Sequence, residues 1–438
     1  MVRISSLPTR RSRSWPAIAA VALVLLHTLP RVHGQTPPRL DPAKPPRPAS
    51  LRPGDRLAIC GDSITEQRMY SRILETYLAA CQPKLGIEVR QFGWSGERAD
   101  GFFERMENDV LRFHPTVATT CYGMNDHRYR PFEPWIGELY RIHLDAVVRT
   151  FQSQGVRVVV GSPGSVGRVP HWVKDAGPTV DALNANLAEI RNLALGVARN
   201  RRTGFADIFT PMWNADQLAR QRYGTNYAIP GKDGVHPDWP GQVIRAHAFL
   251  EGLGVDGNLG TLELNVRRGT ARATAGHAVV SAGVGTATFR SERYPFCVGE
   301  GNPAEYRTIA SGTQWVPFHQ RFNRLKLVVH GLSSSRCEVA WGNASRTFNS
   351  AELEKGILLP AEFPTNPFSD AFRRVDEAVA AKQAFETQQI KGEFHGAAGK
   401  ADMETTVQRT EAARAPLVEA IAQARVPVTH TLTVRELP

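Results

Sequence analysis

Four short stretches of this 438-residue chain carry residue types suited to attack on an acyl carbonyl. In Leu57-Ala58-Ile59-Cys60-Gly61-Asp62-Ser63-Ile64-Thr65-Glu66, Ser63 follows an apolar run that Gly61 ends. Met69, Ile73, Leu74, Tyr77 and Leu78 then recur at helical spacing. Ser63 therefore stands at a strand-to-helix turn, beside a helix N-terminus that favours negative charge. That suits a nucleophile whose attack creates an oxyanion, although Asp62 and Ser63 are also good helix caps. Phe92-Gly93-Trp94-Ser95-Gly96-Glu97 has two glycines that allow a tight turn and bring backbone N–H groups close to a ligand. Tyr122-Gly123-Met124-Asn125-Asp126 offers Asn125, whose amide can donate two hydrogen bonds to an oxyanion. Each of these two stretches taken alone also reads as an ordinary turn. In Lys232-Asp233-Gly234-Val235-His236-Pro237-Asp238, Asp233 and His236 are three apart, so the carboxylate can fold back and hold the imidazole.

These stretches need a frame that brings them together, and from residue 56 the pattern alternates strand and helix. Strands are expected at residues 57–60, 87–92, 116–122, 156–160 and 204–208, with helices at 67–81, 100–113, 136–151, 180–198 and 242–250. Helices of this length between strands imply right-handed βαβ units and a parallel sheet covered on both faces. Five strands make an α/β, flavodoxin-like three-layer sandwich, in which loops at the carboxyl ends of the strands converge on one crevice. Three of the four stretches follow successive strands, and the fourth precedes the closing helix. After residue 254 the texture changes. Short strands are expected at 262–266, 277–280, 325–329 and 338–341, with Gly and Ser turns between. Charged helices follow at 370–390 and 403–424, and residues 429–434 alternate as a returning strand. This is a second, β-rich module carrying a helical hairpin, at about residues 366–424.

Gly61-Asp62-Ser63, Gly96, Gly123-Met124-Asn125-Asp126 and Asp233-Gly234-Val235-His236 together resemble the SGNH/GDSL hydrolase superfamily. All four blocks occur in order within residues 55–254. Ile64 stands where the family has Leu, an apolar exchange that leaves the chemistry alone. The resemblance implies the same sandwich fold, with Ser63 as nucleophile, His236 as general base and Asp233 orienting the imidazole. It further implies an oxyanion hole from the Ser63 and Gly96 N–H groups and the Asn125 side chain, and no metal or organic cofactor. It does not extend over the second module, although Asn366-Pro367-Phe368 and Ala381-Lys382-Gln383 look similar to tails on exported bacterial members.

Composition agrees with a globular exported enzyme. Hydrophobic residues make up 42% and charged residues 22% of the chain. The net charge of +11 falls to +6 without residues 1–34, which hold five Arg and no acid. With no basic stripe interleaved with aromatics, nucleic acid is not an expected partner. Residues 1–34 read as a signal peptide, with a basic start and a ten-residue apolar core too short to span a bilayer. A Pro-rich linker follows at residues 35–54, the hydrolase domain at 55–254 and the β-rich module at 255–438. The expected location is periplasmic or extracellular, with no integral membrane association. Five cysteines leave an odd count; Cys60 and Cys121 end strands and read as buried thiols, while Cys297 and Cys337 are candidates to pair. The expected substrate is an ester, most simply an acetylated glycan, with Trp94 and Trp239 either stacking on sugar or packing internally. Gly161-Ser162-Pro163-Gly164 either lines the same cleft or makes a tight turn. A lipid esterase or thioesterase, and a catalytically silent carbohydrate-binding protein, are the other readings.

Overall fold

The computed structural model describes residues 37–174, 177–274 and 276–438. The expected signal peptide lies outside the described residues, as do the first two residues of the expected linker.

Five parallel strands form the first sheet: β1 (Arg56–Gly61), β2 (Glu88–Gly93), β3 (Val117–Cys121), β4 (Arg157–Gly161) and β5 (Gly204–Ala206), in the order β2-β1-β3-β4-β5. Both faces of each strand are covered, so their residues sort into two cores. Leu57, Ile59, Val89, Val117 and Val159 face one core. Ala58, Cys60, Phe92, Ala118, Val158 and Val160 face the other. This period of two is why the strands read as unbroken apolar runs. The helices are α1 (Ser63–Glu66), α2 (Tyr70–Cys81), α3 (Ala99–Asp109), α4 (Pro134–Ser153), α5 (Val180–Arg201), α6 (Phe209–Tyr223) and α7 (Trp239–Gly252). This is the expected α/β sandwich, with two helices more than the spacing predicts, the single turn α1 and the longer α6. Helix α6 begins Phe209-Thr210-Pro211, and a proline is tolerated in the first turn, where its missing N–H has no intrahelical acceptor. The hydrophobic stripe of α6 is also weak, with Asn214, Asp216 and Gln217 interrupting it.

The register sets the site. Gly61 lies beside Gly93 on one side and Cys121 on the other, and Cys121 lies beside Gly161. The carboxyl ends of four adjacent strands therefore finish in one row. The loops they release start level with one another.

The later sheets are antiparallel apart from one strand pair. Strands β6 (Asn258–Asn265), β7 (Thr270–Ala273), β10 (Arg324–His330) and β13 (Ile357–Leu358) form one sheet in the order β13-β10-β6-β7. Strands β8 (His277–Gly283), β9 (Thr286–Ser291), β11 (Arg336–Trp341), β12 (Ala344–Asn349) and β14 (Val428–Leu437) form the other, in the order β12-β11-β14-β9-β8. The last strand returns to the middle of its sheet, as the alternation in residues 429–434 predicts. Cys297 and Cys337 are not bonded to each other, contrary to the pairing considered from the sequence. The Cys337 thiol lies near the Ser350 hydroxyl, and Cys297 near the Asn366 side chain.

The helical hairpin, Ser369–Gln388 and Met403–Ala424, runs along the edge of the first sheet. There β2 is an edge strand with open backbone groups. Lys382 Nζ donates to the Val89 carbonyl at 2.8 Å, and Arg414 Nη2 donates to the same oxygen at 3.1 Å. The Gln91 N–H donates to Glu386 at 3.2 Å. Side chains of the hairpin thus take the place of a sixth strand, and the described residues form one unit.

Candidate active site

Asp62 caps α1: its carboxylate accepts the Ile64 N–H at 3.0 Å. The capping role therefore falls to Asp62 and leaves the Ser63 hydroxyl free to face elsewhere. It faces His236, whose Nε2 is 2.8 Å from Ser63 Oγ. On the other side of the ring, Nδ1 is 2.7 Å from Asp233 Oδ2. The second Asp233 oxygen accepts the N–H groups of Val235 at 2.9 Å and His236 at 2.8 Å. Asp233 is thus fixed by its own turn, and it in turn fixes the ring.

Burial raises the Asp233 pKa, but the His236 ring and the two backbone N–H groups outweigh it and bring it to about 2. The hydrogen bond that His236 donates to Asp233 raises the His236 pKa, against partial burial. Asp62 moves the other way: burial lifts it to about 6, opposed by the charge of Arg245. The pair Asp233–His236 is therefore built to hold a proton on the ring once one arrives there.

The second loop is shaped by what passes beneath it. A Cβ on Gly93 would sit 2.2 Å from the Glu66 nitrogen, so only glycine lets β2 end across the backbone of α1. The Trp94 N–H then donates to the Gly61 carbonyl at 2.9 Å, and Gly96 adopts φ +75°. The Gly96 N–H hydrogen-bonds to none of the described residues. The Ser63 N–H heads α1, where no intrahelical acceptor exists. One N–H of Asn125 Nδ2 donates to the Glu97 carbonyl at 2.9 Å, and the amide has a second to offer. The Tyr129 hydroxyl is 3.3 Å from Asn125 Oδ1, which orients the amide.

Two residues that stand inside the quoted stretches, and to which the sequence reading gives no role, hold this arrangement together. Glu97 is buried, bonded to Arg105 at 2.5 and 2.7 Å and to the Tyr122 hydroxyl at 2.9 Å. Asp126 accepts the Ala99 N–H at 3.0 Å and the Gly123 N–H at 2.8 Å, tying the third loop to the start of α3. Burial raises the Asp126 pKa to about 6.

Trp94 and Trp239 are each half-buried, one side against a core and the other open. Trp94 is contacted by Arg105, Lys391 and His395, with the His395 ring 4.8 Å away edge-on. Trp239 opens α7 and packs against the core. The aromatic ring beside His236 is Trp172, 5.8 Å away between centroids, and Tyr129 meets Trp172 edge-on at 5.8 Å. Tyr129 and its neighbour Arg128 both have positive φ, +52° and +57°, a strained pairing that tends to mark functional loops. The signal available in the sequence was the long loop between β4 and α5, since loops of that length without regular structure are commonly functional. Ser162 in that loop is fully buried and accepts the Ile208 and Phe209 N–H groups at 2.9 and 3.0 Å, so its stretch joins β4 to α6. Among the described residues, no group of three His, Cys, Asp or Glu side chains is arranged to hold a metal ion.

Taken together, Ser63, His236 and Asp233 are placed so that a hydroxyl can be deprotonated and the resulting imidazolium held. Residues 59–244 match the GDSL-like lipase/acylhydrolase family. Over 219 residues the chain is 24% identical to an acetylxylan esterase of Geobacillus stearothermophilus, spanning 46% of this chain and 95% of the relative. The structure of a gut microbial diltiazem-metabolizing enzyme aligns with TM-score 0.70 at 20% identity, over 89% of this chain and all of that one. At this identity the likeness is one of fold, and it takes in the β-rich sheets as well as the sandwich. The Geobacillus stearothermophilus acetylxylan esterase structure aligns with TM-score 0.39 at 22% identity, over 47% of this chain and 97% of its own.

Proposed function

From the premise that residues 59–244 belong to the SGNH/GDSL hydrolases and make the chain a carboxylic ester hydrolase, we propose a serine esterase that deacetylates glycans through an acyl-enzyme. The observation that carries this reading is the Ser63–His236–Asp233 relay, with contacts of 2.8 and 2.7 Å. Ser63 Oγ attacks the ester carbonyl while His236 Nε2 takes its proton. A positioned base of this kind contributes about 10²–10⁴-fold. Asp233, held ionised, keeps the ring in the tautomer that accepts at Nε2 and stabilises the imidazolium.

The tetrahedral oxyanion sits among the Ser63 N–H, the Gly96 N–H and the Asn125 amide. Each such donor is worth about 3 kcal/mol in the transition state. The imidazolium then protonates the departing alcohol. A water activated by His236 hydrolyses the acyl-enzyme and restores Ser63.

The substrate reading rests on the acetylxylan esterase relative and on the Tyr129–Trp172 wall beside His236. Aromatic faces of this kind stack on the apolar face of a sugar ring. The basic, then apolar, composition of residues 1–34 supports export, which puts the enzyme where polysaccharides are. The test is acetate release from acetylated polysaccharides and short p-nitrophenyl esters by wild type and Ser63→Ala. Release from a glycan, abolished by the substitution, is expected. Undiminished release by Ser63→Ala would overturn the nucleophile, and turnover of p-nitrophenyl esters alone would overturn the glycan.

A further inference from the structure

The tip of the C-terminal hairpin reaches the loops that carry the proposed oxyanion donors. After the Ser369–Gln388 helix the chain forms a π-helical stretch, Gln389–Phe394, which widens the helix before the turn. Such stretches are frequent at functional sites. Two side chains project from this region into the first sheet's carboxyl edge, and each starts a chain of polar contacts.

The first begins at Lys391, whose Nζ donates to both oxygens of Glu66, at 2.7 and 2.9 Å. Glu66 ends α1, three residues after Ser63. Its carboxylate also accepts the Ser95 N–H at 2.5 Å. Ser95 immediately precedes Gly96, so the anion that Lys391 holds is the anion that fixes the peptide before a donor. Burial raises the Glu66 pKa, but Lys391 and Ser95 outweigh it and the group stays ionised.

The second begins at His395, whose Nε2 is 2.9 and 3.0 Å from the two oxygens of Asp109. Asp109 is fully buried and meets Arg105 at 3.2 Å. Arg105 holds Glu97 and also donates to the Phe92 carbonyl at 2.8 Å. The Glu97 carbonyl receives the Asn125 amide at 2.9 Å. Between the two chains lies Trp94, with Lys391 Nζ 5.2 Å above its ring and His395 against its edge.

We propose that Lys391 and His395 are positioning residues for ester hydrolysis, setting through Glu66–Ser95 and Asp109–Arg105–Glu97 where the Gly96 N–H and the Asn125 amide point. The proposal rests on reading those two groups as oxyanion donors. It gives the C-terminal hairpin a catalytic consequence: the loop it braces is completed by residues about 300 positions further along the chain.

The test is Lys391→Met, with p-nitrophenyl acetate as the probe substrate. Glu66 is partly exposed, at 19%, so water replaces the ammonium and the protein stays folded. Losing an oxyanion donor outright lowers kcat by about 10²–10³-fold, so a displaced one is expected to lower it by about 10–30-fold. KM and the melting temperature stay as in the wild type, and Lys391→Arg restores kcat. In a Glu66→Gln background, Lys391→Met adds little, because the route is already cut. His395→Gln is the second variant and lowers kcat in the same manner. Unchanged kcat in both variants, or a loss matched by the unfolded fraction, overturns the proposal. Ser63→Ala and Asn125→Ala separate this from a failure of the underlying reading. If both abolish or cripple turnover while Lys391→Met and His395→Gln do not, the bracing alone is wrong. If Asn125→Ala is fully active, the oxyanion reading itself is wrong.

Discussion

Ser63 Oγ and His236 Nε2 are 2.8 Å apart, although 173 positions separate the residues in the chain. Neither is held by the other. Ser63 is placed by the Asp62 cap and the end of β1, and His236 by the Asp233 turn before α7. The contact is the meeting of two independently fixed groups, so each can be altered without moving its partner.

The pH dependence follows from the Asp233 side of the ring. His236 must be neutral to act as a base, and its pKa is raised above the ordinary 6.5. Activity is therefore expected to rise with pH through a limb above 6.5. In Asp233→Asn the raising interaction is gone, so the limb moves to lower pH while kcat falls by about 10²–10⁴-fold. Stability runs the opposite way. The raised His236 contributes stability below pH 6.5 and loses it as pH rises through the folded value. Asp233, depressed from 3.8 to about 2, contributes above pH 3.8 and loses that as pH falls through about 2. A kcat/KM profile and urea midpoints across pH measure the two separately. An acid limb left in place in Asp233→Asn would remove Asp233 from the relay.

Two glycines in one loop are expected to fail differently. Alanine at Gly93 would set a Cβ 2.2 Å from the Glu66 nitrogen and 2.5 Å from the Thr65 carbonyl carbon, both backbone atoms. Overpacking of this kind costs about 1–3 kcal/mol and would push α1, and Ser63 with it, out of place. Alanine at Gly96 meets nothing within 4 Å and suffers only from φ +75°. That strain is about 1–2 kcal/mol. Gly93→Ala should therefore lose both melting temperature and kcat, whereas Gly96→Ala should lose less stability. Equal melting temperatures for Gly93→Ala and the wild type would contradict the close approach.

Much of the sandwich was legible because each strand is covered on both faces. Residues such as 57–60 and 156–160 then appear as apolar runs, and their order with the helices dictates a parallel sheet. The four blocks were legible because a strand end, a turn glycine and a polar group are all local features. What was not legible depends on distant partners. Nothing around Trp94 announces that Lys391 and His395 contact it. Glu66 reads as a first-turn acid until the hairpin supplies a cation. Trp172 lies in a loop with no periodicity, so its place beside His236 emerges only when the loop after β4 folds over the crevice.

Trp172 is expected to govern recognition of the sugar and not the chemistry. An aromatic contact of this kind is worth about 0.5–1.5 kcal/mol beyond its area. Trp172→Ala should raise KM for an acetylated oligosaccharide by about tenfold, the upper end of that range. Turnover of p-nitrophenyl acetate should change little. A parallel loss on both substrates would mean that the ring supports His236 instead.

The hairpin's own attachment is open to a sharper test, because it depends on a buried ammonium. Lys382 Nζ lies 3.0 Å from Glu75 and 2.6 Å from Glu386, and all three side chains are almost fully buried. Arg414 reaches Glu386 at 2.7 Å, but among the cations bonded there Lys382 is the one that touches both carboxylates. Removing one member of a buried pair costs about 3–5 kcal/mol, mostly from the charge left behind. Lys382→Met should therefore destabilise the whole unit by that order at neutral pH. Burial already raises the Glu75 pKa, with Lys382 opposing it. Without Lys382 the carboxyl takes up a proton more readily, so the penalty should shrink as pH is lowered. Replacing Glu75 by Gln in the same chain removes the stranded charge at every pH and should recover part of the loss. Urea midpoints for the single and double variants at neutral and mildly acid pH distinguish these outcomes. A penalty independent of pH, and unrelieved by Glu75→Gln, would mean that lost packing and not the unpaired carboxylate destabilises the joint.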